Sequence, residues 1–357
     1  MKVFWSGDVL QTHSLSLLAR PLLSSLSLNY DVYIEQWTQT TKPIVDEYSE
    51  VINSLVDKPH PAPTEEDVVL LCKYPLPIFP PDHKARIIPL IPWEFNVAPT
   101  QWVDYINNYC DQVLTISPDS ADVIRDAVSV PVTNLPIPIH PIFFRDYERI
   151  PGPPTILYDA GASWRKGPDI FLNLMRRFSG MTELKFIWKD SPIYRNFCFE
   201  DVKDCNVNCD YIYKDISYEK LHDLYRSADV VVYPTRAEGF GYCPAQAMAM
   251  GIPVVAPIHT GMAQYLRPEY CYPVDWTPQQ VPSNYLLSPE YGLDVDPLIS
   301  ICEPSADHLY YMTLRALFGG PKRDLNWSRS YMGRYTVEHV TQCYLEFLQD
   351  VEKENAQ

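Results

Sequence analysis

The sequence predicts an α/β protein of two domains, each built on a parallel sheet. Short apolar segments, typical of buried strands, alternate with segments of helical periodicity along most of the chain. A length of 357 residues is long for one domain and comfortable for two. The cluster Pro151-Gly152-Pro153-Pro154 separates two such series and marks the predicted domain boundary.

The first half opens with a βαβ unit. Residues 2–6 form a strand, Ser14 to Leu26 carries leucines at helical spacing, and Tyr30 to Ile34 forms a second strand. Continuous apolar runs then predict buried strands, and caps or polar periodicity predict helices. The segments that follow are helix 44–56, strands 68–72 and 87–91, a helix after Thr100, strand 112–117 and helix 120–128.

The second half repeats this rhythm. Pro168 suits the first turn of a helix, Ser217 suits a helix cap, and Gly251 with Pro253 ends a helix of small residues. The predicted strands are 155–159, 184–188, 211–213, 230–233 and 254–255. The predicted helices are 168–178, one that begins at Ser217, 245–250, 307–318 and 335–352.

Composition and charge limit the partners of this chain. A net charge of −16 and a pI near 4.9 argue against nucleic acid or an anionic membrane as the main partner. The first residues carry no apolar h-region and no apolar run is long enough to span a membrane, so we expect neither a signal peptide nor a transmembrane segment. The nine cysteines form no CxxC pair, so we expect reduced thiols, no zinc and a cytoplasmic protein.

One stretch, Tyr233 to Pro257, combines a strand end, a glycine-bearing loop and a helix start. The first amides of a helix are unpaired and its dipole favours negative charge, so such a loop can bind an anion. The carboxylate of Glu238 in this loop would repel a phosphate, but it is a good hydrogen-bond acceptor for sugar hydroxyls. A bare connection between strand and helix remains the alternative.

A second loop, Gly161 to Gly167, carries Arg165 and Lys166 directly before a helix. Both side chains can neutralise charge on a phosphate, and the guanidinium can do so with two parallel hydrogen bonds. A solvated surface pair is the alternative for an arbitrary loop. The strand–loop–helix setting and the Glu238 loop further on favour a binding role.

These motifs together resemble a known family. EGFG at 238–241, the small-residue helix and G-x-P-V-V-A resemble the donor-site motif of retaining, family 4 type glycosyltransferases (glycosyl transferases group 1). The resemblance implies the GT-B fold, with two Rossmann-like domains that face a central cleft. It implies an acceptor-side domain at 1–148, a nucleotide-sugar-binding domain at 149–334, and a helix at 335–357 that crosses back to the first domain.

The resemblance also implies roles for single residues. Glu238 takes the position that contacts the donor sugar, and Lys166 takes the position of a lysine on the phosphates. The donor-binding candidates are Gly7, Gly239, Phe240, Gly241 and Gln246.

Two positions depart from the family. Gln246 stands where the family has a glutamate on the nucleotide ribose, and Gly161 stands where it has an arginine. We infer that Arg165 replaces that arginine. The alternative for Gln246 is an amide on the helix surface.

The acceptor-side candidates lie in the first half. They are His13 at a helix entrance, and Trp93 with Glu94 after a predicted strand, where the family's equivalent loop often faces the acceptor. A solvated cap is the alternative for His13, core packing for Trp93, and a helix-entry charge for Glu94.

The predicted function is transfer of a sugar, of hexosyltransferase type, from a nucleotide-diphosphate sugar to an acceptor hydroxyl on a glycan, lipid or protein, with retention. We expect neither metal nor cofactor, because no DxD motif falls at a strand end. Asp294-Val295-Asp296 lies in a proline-rich insertion. A degenerate donor-binding or scaffold protein is the main alternative, and an epimerase or phosphorylase is a third.

Overall fold

The computed structural model describes residues 1–11, 14–38, 45–73, 76–77, 79–191, 199–281, 299–319 and 325–355. The chain divides into two compact units, which we call unit 1 and unit 2. Unit 1 comprises Met1–His140, Gln280–Ser300 and Arg334–Gln357, and unit 2 comprises Pro141–Gln279 and Ile301–Gly333. The domain limits and roles drawn from the sequence stay predictions.

Unit 1 is built on a parallel sheet of six strands in the order β2-β1-β3-β4-β5-β6. The strands are β1 Lys2–Gly7, β2 Asp31–Glu35, β3 Val68–Cys72, β4 Arg86–Ile91, β5 Val113–Thr115 and β6 Val132–Asn134. Every residue of β3 is buried, which explains its unbroken apolar run. The carboxyl ends of β1, β2 and β3 meet at one edge, since Gly7 is paired with Cys72 and Ser6 with Glu35.

Five helices lie in the described part of unit 1. They are α1 Ser14–Leu26, α2 Ser49–Val56, α3 Thr100–Tyr109, α4 Pro118–Arg125 and, from the end of the chain, Val337–Asn355. The last of these packs against α1 with an apolar stripe that includes Val340, Tyr344 and Leu348. Helix α1 has the predicted bounds, and Ser117 caps α4 by accepting a hydrogen bond from the backbone N–H of Ser120.

Unit 2 repeats the plan with a parallel sheet in the order β12-β11-β10-β7-β8-β9. Its strands are β7 Thr155–Asp159, β8 Lys185–Asp190, β9 Asn208–Tyr213, β10 Val230–Val232, β11 Val254–Ala256 and β12 Tyr272–Pro273. Strands β13 Trp276–Gln280 and β14 Ser300–Pro304 pair separately. Strand β7 lies between β8 and β10, so the loops after β7 and β10 leave the sheet side by side.

The helices of unit 2 are α5 Pro168–Arg177, α6 Phe199–Lys203, α7 Tyr218–Ser227, α8 Tyr242–Met250, α9 Ala306–Phe318 and α10 Leu325–Met332. The C-terminal helix Val337–Asn355 of unit 1 is α11. Helix α8 is buried along nearly its whole length, and it begins at Tyr242 rather than at the predicted Ala245.

Several predicted elements differ from the structure. Helix α2 begins at Ser49 rather than at the predicted residue 44. Helix α10 was not predicted. The Asp294-Val295-Asp296 sequence lies outside the described residues. None of the helices in the described part of the chain is both long and apolar enough to cross a membrane.

Candidate functional site

The two loops that carry the predicted site are bonded to each other in unit 2. The backbone N–H of Arg236 donates to the carbonyl of Arg165 at 2.7 Å. Gly167 ends the first loop with a left-handed φ of 73°, and a Cβ added there would lie 2.0 Å from the carbonyl oxygen of Pro234. Both features require glycine at this position. The loop of Arg165 and Lys166 therefore lies against the loop of Glu238, as the parallel order of β7 and β10 dictates.

A buried carboxylate with two cationic partners forms the centre of the site. Glu238 is 3% exposed, and its Oε1 lies 2.5 Å from the ammonium of Lys166. Its Oε2 lies 3.3 Å from Nη1 of Arg165, which also donates to the carbonyl of Ala237. The hydroxyl of Tyr233 donates to Oε1 at 2.7 Å. We call Glu238, Lys166, Arg165 and Tyr233 the charge cluster.

The charge cluster keeps Glu238 ionised. Burial by itself raises the pKa of this carboxyl. The charges of Lys166 and Arg165, with hydrogen bonds from Lys166 and Tyr233, outweigh burial and lower the pKa from 4.5 to about 2. Burial and the same carboxylate hold the pKa of the Tyr233 phenol well above its ordinary range. At neutral pH the cluster thus holds one buried anion, two cations and a neutral phenol.

Arg236 holds the loop of Arg165 and Lys166 in place through ion pairs and a hydrogen bond. Its guanidinium forms two-pronged ion pairs with Asp169, at 2.7 and 2.8 Å, and with Glu303, at 2.6 and 2.9 Å. It also donates to the carbonyl of Trp164 at 2.7 Å and lies over the Trp164 ring. Burial favours the neutral form, but both carboxylates outweigh it and raise the pKa of Arg236. The permanent charge of Arg236 therefore joins α5, β14 and both site loops.

The glycines after Glu238 lead into α8. Gly241 precedes the helix with a φ of 83°, and a Cβ there would lie 2.9 Å from the hydroxyl oxygen of Tyr265. That hydroxyl lies 2.7 Å from the carbonyl of Phe240 and 2.6 Å from that of Gly241. Phe240 is buried, and its ring lies 5.3 Å from that of Tyr242, the first residue of α8, and 5.4 Å from that of Tyr265. The structure thus brings the predicted donor loop and the charge cluster together.

Gln246 is buried rather than at the helix surface. It is 6% exposed, and its side-chain oxygen accepts a hydrogen bond from the hydroxyl of Tyr225 at 3.1 Å. The same hydroxyl lies 3.0 Å from Oδ2 of Asp159, whose pKa burial raises. Gln246 therefore belongs to a buried polar network with Tyr225 and Asp159. The alternative of a helix-surface amide is wrong.

The unit 1 candidates are placed differently. Gly7 ends β1, where a Cβ would lie 2.4 Å from the carbonyl oxygen of Cys72, so close strand packing accounts for this glycine. Trp93 is 1% exposed, packs against Trp102 and donates to the carbonyl of Val97. Glu94 is partly exposed. His13 lies outside the described residues.

Three residues of the unit 2 site were missed from the sequence. Arg236 stands two positions before Glu238, and an arginine inside a loop of small residues was an available signal. His259 and Thr260 follow β11, and nothing in the sequence connects them with Glu238. Among the described residues, no group of three or more His, Cys, Asp or Glu side chains could hold a metal ion.

Residues 141–275 match the family Glycosyl transferases group 1. A D-inositol 3-phosphate glycosyltransferase of Xylanimonas cellulosilytica is 28% identical over 108 residues. That alignment covers 29% of this chain and spans only 25% of the length of the relative. The matched residues contain the charge cluster and both site loops, and these matches support a glycosyltransferase.

Several solved structures share the fold over nearly the whole chain. Trehalose 6-phosphate synthase from Burkholderia multivorans gives a TM-score of 0.65 at 10% identity, with 99% of each chain covered. Sucrose-phosphate synthase from Thermosynechococcus elongatus gives 0.62 at 13% identity, covering 98% of this chain and 99% of the other. Anabaena HepE, solved with UDP-glucose, gives 0.62 at 12% identity, covering 98% and 100%. The fold is GT-B, with two Rossmann-like units, and the site lies in the segment that is similar to glycosyl transferases group 1.

Proposed function

We propose that this protein is a retaining, metal-independent glycosyltransferase that uses a nucleotide-diphosphate sugar as donor. One observation carries the proposal: a buried, ionised Glu238 holds two cations, Lys166 and Arg165, at the loop before α8. Burying charged groups costs free energy even when they are paired, so a buried ionic cluster at a loop before a helix indicates a functional site. Unit 2 is then the donor-binding domain, and unit 1 is the acceptor-side domain.

The leaving diphosphate gains negative charge as the anomeric bond breaks. Lys166 supplies a cation whose side chain is 18% exposed, and the first amides of α8 supply oriented hydrogen-bond donors. Arg165 is 6% exposed and donates to the carbonyl of Ala237, so its charge acts on the site from the buried side. This set of donors can stabilise the leaving group without a metal ion.

Glu238 has two separate tasks in this proposal. Its Oε1 already accepts from Lys166 and Tyr233 and fixes the ammonium in place. Its Oε2 faces Arg165 at 3.3 Å and is the oxygen with capacity for a hydroxyl of the donor sugar. Because the pKa of Glu238 is about 2, the carboxylate accepts hydrogen bonds at any pH near neutrality.

Transfer is proposed to proceed on one face of the sugar. The bond between the anomeric carbon and the diphosphate oxygen breaks while the acceptor oxygen bonds to that carbon from the same side. The acceptor proton passes to the leaving phosphate oxygen. Glu238 is a poor nucleophile because two cations and a hydrogen bond from the Tyr233 phenol stabilise its negative charge. Isolation of a covalent glycosyl-enzyme on Glu238 would contradict this step.

The donor is testable with a panel. Calorimetry with UDP-, GDP- and ADP-sugars, followed by assays of donor hydrolysis and transfer, is expected to show binding and turnover of one class. UDP-glucose is the first member, because HepE was solved with it. The acceptor is a hydroxyl of a glycan, lipid or protein, and His13, Trp93 and Glu94 stay the acceptor-side candidates. No further cofactor is proposed, and the proposed compartment is the cytoplasm.

A second candidate is a donor-binding or scaffold protein without turnover. Gln246 favours it, because this uncharged amide stands where the family has a glutamate on the ribose, and it already accepts a hydrogen bond from Tyr225. Gly161 favours it as well, since it brings no cation to the loop. Binding of a donor without hydrolysis or transfer to any acceptor would select this candidate over the enzyme.

A further inference from the structure

The Glu238 peptide is held at both ends by two consecutive residues of the segment after β11. The backbone N–H of Glu238 donates to Oγ1 of Thr260 at 3.1 Å. The carbonyl of Glu238 accepts from the backbone N–H of Gly261 at 2.8 Å. A Cβ at Gly261 would lie 1.8 Å from the carbonyl oxygen of Gly239, so the two segments are in direct contact. These contacts fix the backbone of Glu238 and therefore the point from which its side chain extends.

Thr260 adopts a backbone conformation that is unfavourable for its residue type. Its φ is 44°, in the left-handed region, and it is one of two non-glycine residues described there. Threonine is branched at Cβ, so this region is sterically costly for it. The conformation lets the side chain of residue 260 and the amide of residue 261 reach the same peptide. Strain that persists beside a functional group is a reason to look for its use.

His259 completes the connection. Its Nδ1 lies 3.0 Å from Oγ1 of Thr260, and its Nε2 lies 3.1 Å from the carbonyl of Thr235. Burial lowers the pKa of His259 to about 4, so the ring is neutral near pH 7. With the proton on Nε2, the ring donates to Thr235, and its Nδ1 accepts the hydroxyl proton of Thr260. Residues 235 and 238 are then joined through two side chains.

We propose that Thr260 is a positioning residue of the donor site, and that His259 orients its hydroxyl. Thr260 holds the Glu238 peptide so that one carboxylate meets Lys166 and Arg165 together. The backbone strain is retained because no glycine could supply the hydroxyl. This proposal rests on the proposed function for its catalytic consequence, while its structural part stands apart from it.

Three substitutions at one position separate hydroxyl, shape and strain. Thr260→Ser keeps the hydroxyl, Thr260→Val keeps the shape without the hydroxyl, and Thr260→Gly relieves the strain without the hydroxyl. Thr313→Val is the matched control, because the Thr313 hydroxyl is also buried and bonded, to Leu309 of α9. The readouts are the melting temperature, amide hydrogen exchange of residues 235–241, and kcat and KM for the donor.

Thr260→Ser is expected to match the wild type in kcat and in exchange. Thr260→Val and Thr260→Gly are expected to lose roughly tenfold in kcat and to exchange faster over 235–241, because the Glu238 amide loses its acceptor. Thr260→Gly is expected to melt above Thr260→Val, since glycine tolerates the conformation. Thr313→Val is expected to leave kcat and the exchange of 235–241 unchanged.

Two outcomes would overturn the proposal. The first is exchange over 235–241 that is as slow in Thr260→Val as in Thr260→Ser. The second is Thr260→Gly with the kcat of the wild type. A wild-type protein that binds and turns over no nucleotide sugar would instead overturn the proposed function, and the exchange measurement would still decide the structural role of Thr260.

Discussion

Two loops singled out by the sequence, one in each unit, are held in place by opposite means. The loop after β4 in unit 1 closes on itself through aromatic packing, with the Trp93 ring 4.9 Å from Trp102 and 5.2 Å from Phe95. The loop after β10 in unit 2 buries charges instead, with Glu238 between Lys166 and Arg165. Aromatic burial stabilises a loop once the indole N–H has an acceptor, which the carbonyl of Val97 supplies for Trp93. Charges in the same situation need partners, so the unit 2 loop is the one that points to a ligand.

Replacing Trp93 is expected to have the largest effect on stability and no effect on the affinity for the donor. Trp93→Ala removes a fully buried indole and should lower the free energy of unfolding by about 3–5 kcal/mol. Chemical denaturation measures this loss, and calorimetry with the donor is expected to show an unchanged Kd.

Phe79→Ala is the control for Trp93, because Phe79 belongs to the same unit and is 73% exposed. Its effect on the free energy of unfolding should stay within about 0.5 kcal/mol. A tenfold weaker donor Kd in Trp93→Ala would remove the contrast between the two loops.

Acid is expected to weaken the unit 2 loop through His259. The folded pKa of His259 is lowered by burial from 6.5 to about 4, so the unfolded chain binds a proton first as pH falls. The contribution of neutral His259 to the free energy of unfolding is fully present above pH 6.5 and is lost as the pH falls from 6.5 to 4, by about 3 kcal/mol at most. Denaturation at a series of pH values measures the slope. His259→Gln should flatten it in this window, whereas exposed His339→Gln should not; equal slopes in the wild type and His259→Gln would contradict this account.

The same denaturation series distinguishes the contribution of Glu238 to stability from that of His259, because the two are lost in different pH ranges. Its pKa is lowered from 4.5 to about 2, so its contribution is present above pH 4.5 and is lost as pH falls toward 2. The two losses therefore fall in successive windows rather than together.

Arg236 gives a smaller effect that tests how the cation loop is held. Arg236→Met removes the ion pairs to Asp169 and Glu303, and should lower kcat/KM roughly tenfold, about 1.4 kcal/mol, by loosening Lys166. Arg177→Met is the matched control at the other end of α5. Arg177 pairs with Asp307 at 2.7 Å and lies over the Tyr310 ring. If both variants lose activity equally, the effect of Arg236 is one of general stability.

Apolar runs and loop motifs predicted most of the strands, helices and site loops, whereas the side-chain contacts were not predicted. Strand β3 and helix α1 have their predicted bounds, because burial and helical periodicity are local properties of the sequence. The loops of Lys166 and Glu238 were assigned to one donor site through the family resemblance, and the structure shows them bonded to each other.

Contacts between distant residues were not predictable. Arg236 pairs with Asp169 and Glu303, each 67 positions away, and no local pattern marks such a pair. The left-handed backbone of Thr260 depends on its contact with Glu238, which only the folded chain provides. The burial of Trp93 follows from its neighbours Phe95 and Trp102, although core packing was one of the two alternatives considered for it.

The most direct test of the account is UDP binding to the wild type, Lys166→Met and Lys185→Met by calorimetry. Lys185 is the control, because it is in the same unit and pairs with Asp210 at 2.7 Å. The account predicts that the wild type and Lys185→Met bind UDP alike, and that Lys166→Met binds it ~10²-fold more weakly, a loss of about 3 kcal/mol. Lys166→Met with wild-type affinity, or a wild type that binds none of UDP, GDP and ADP, would contradict the account.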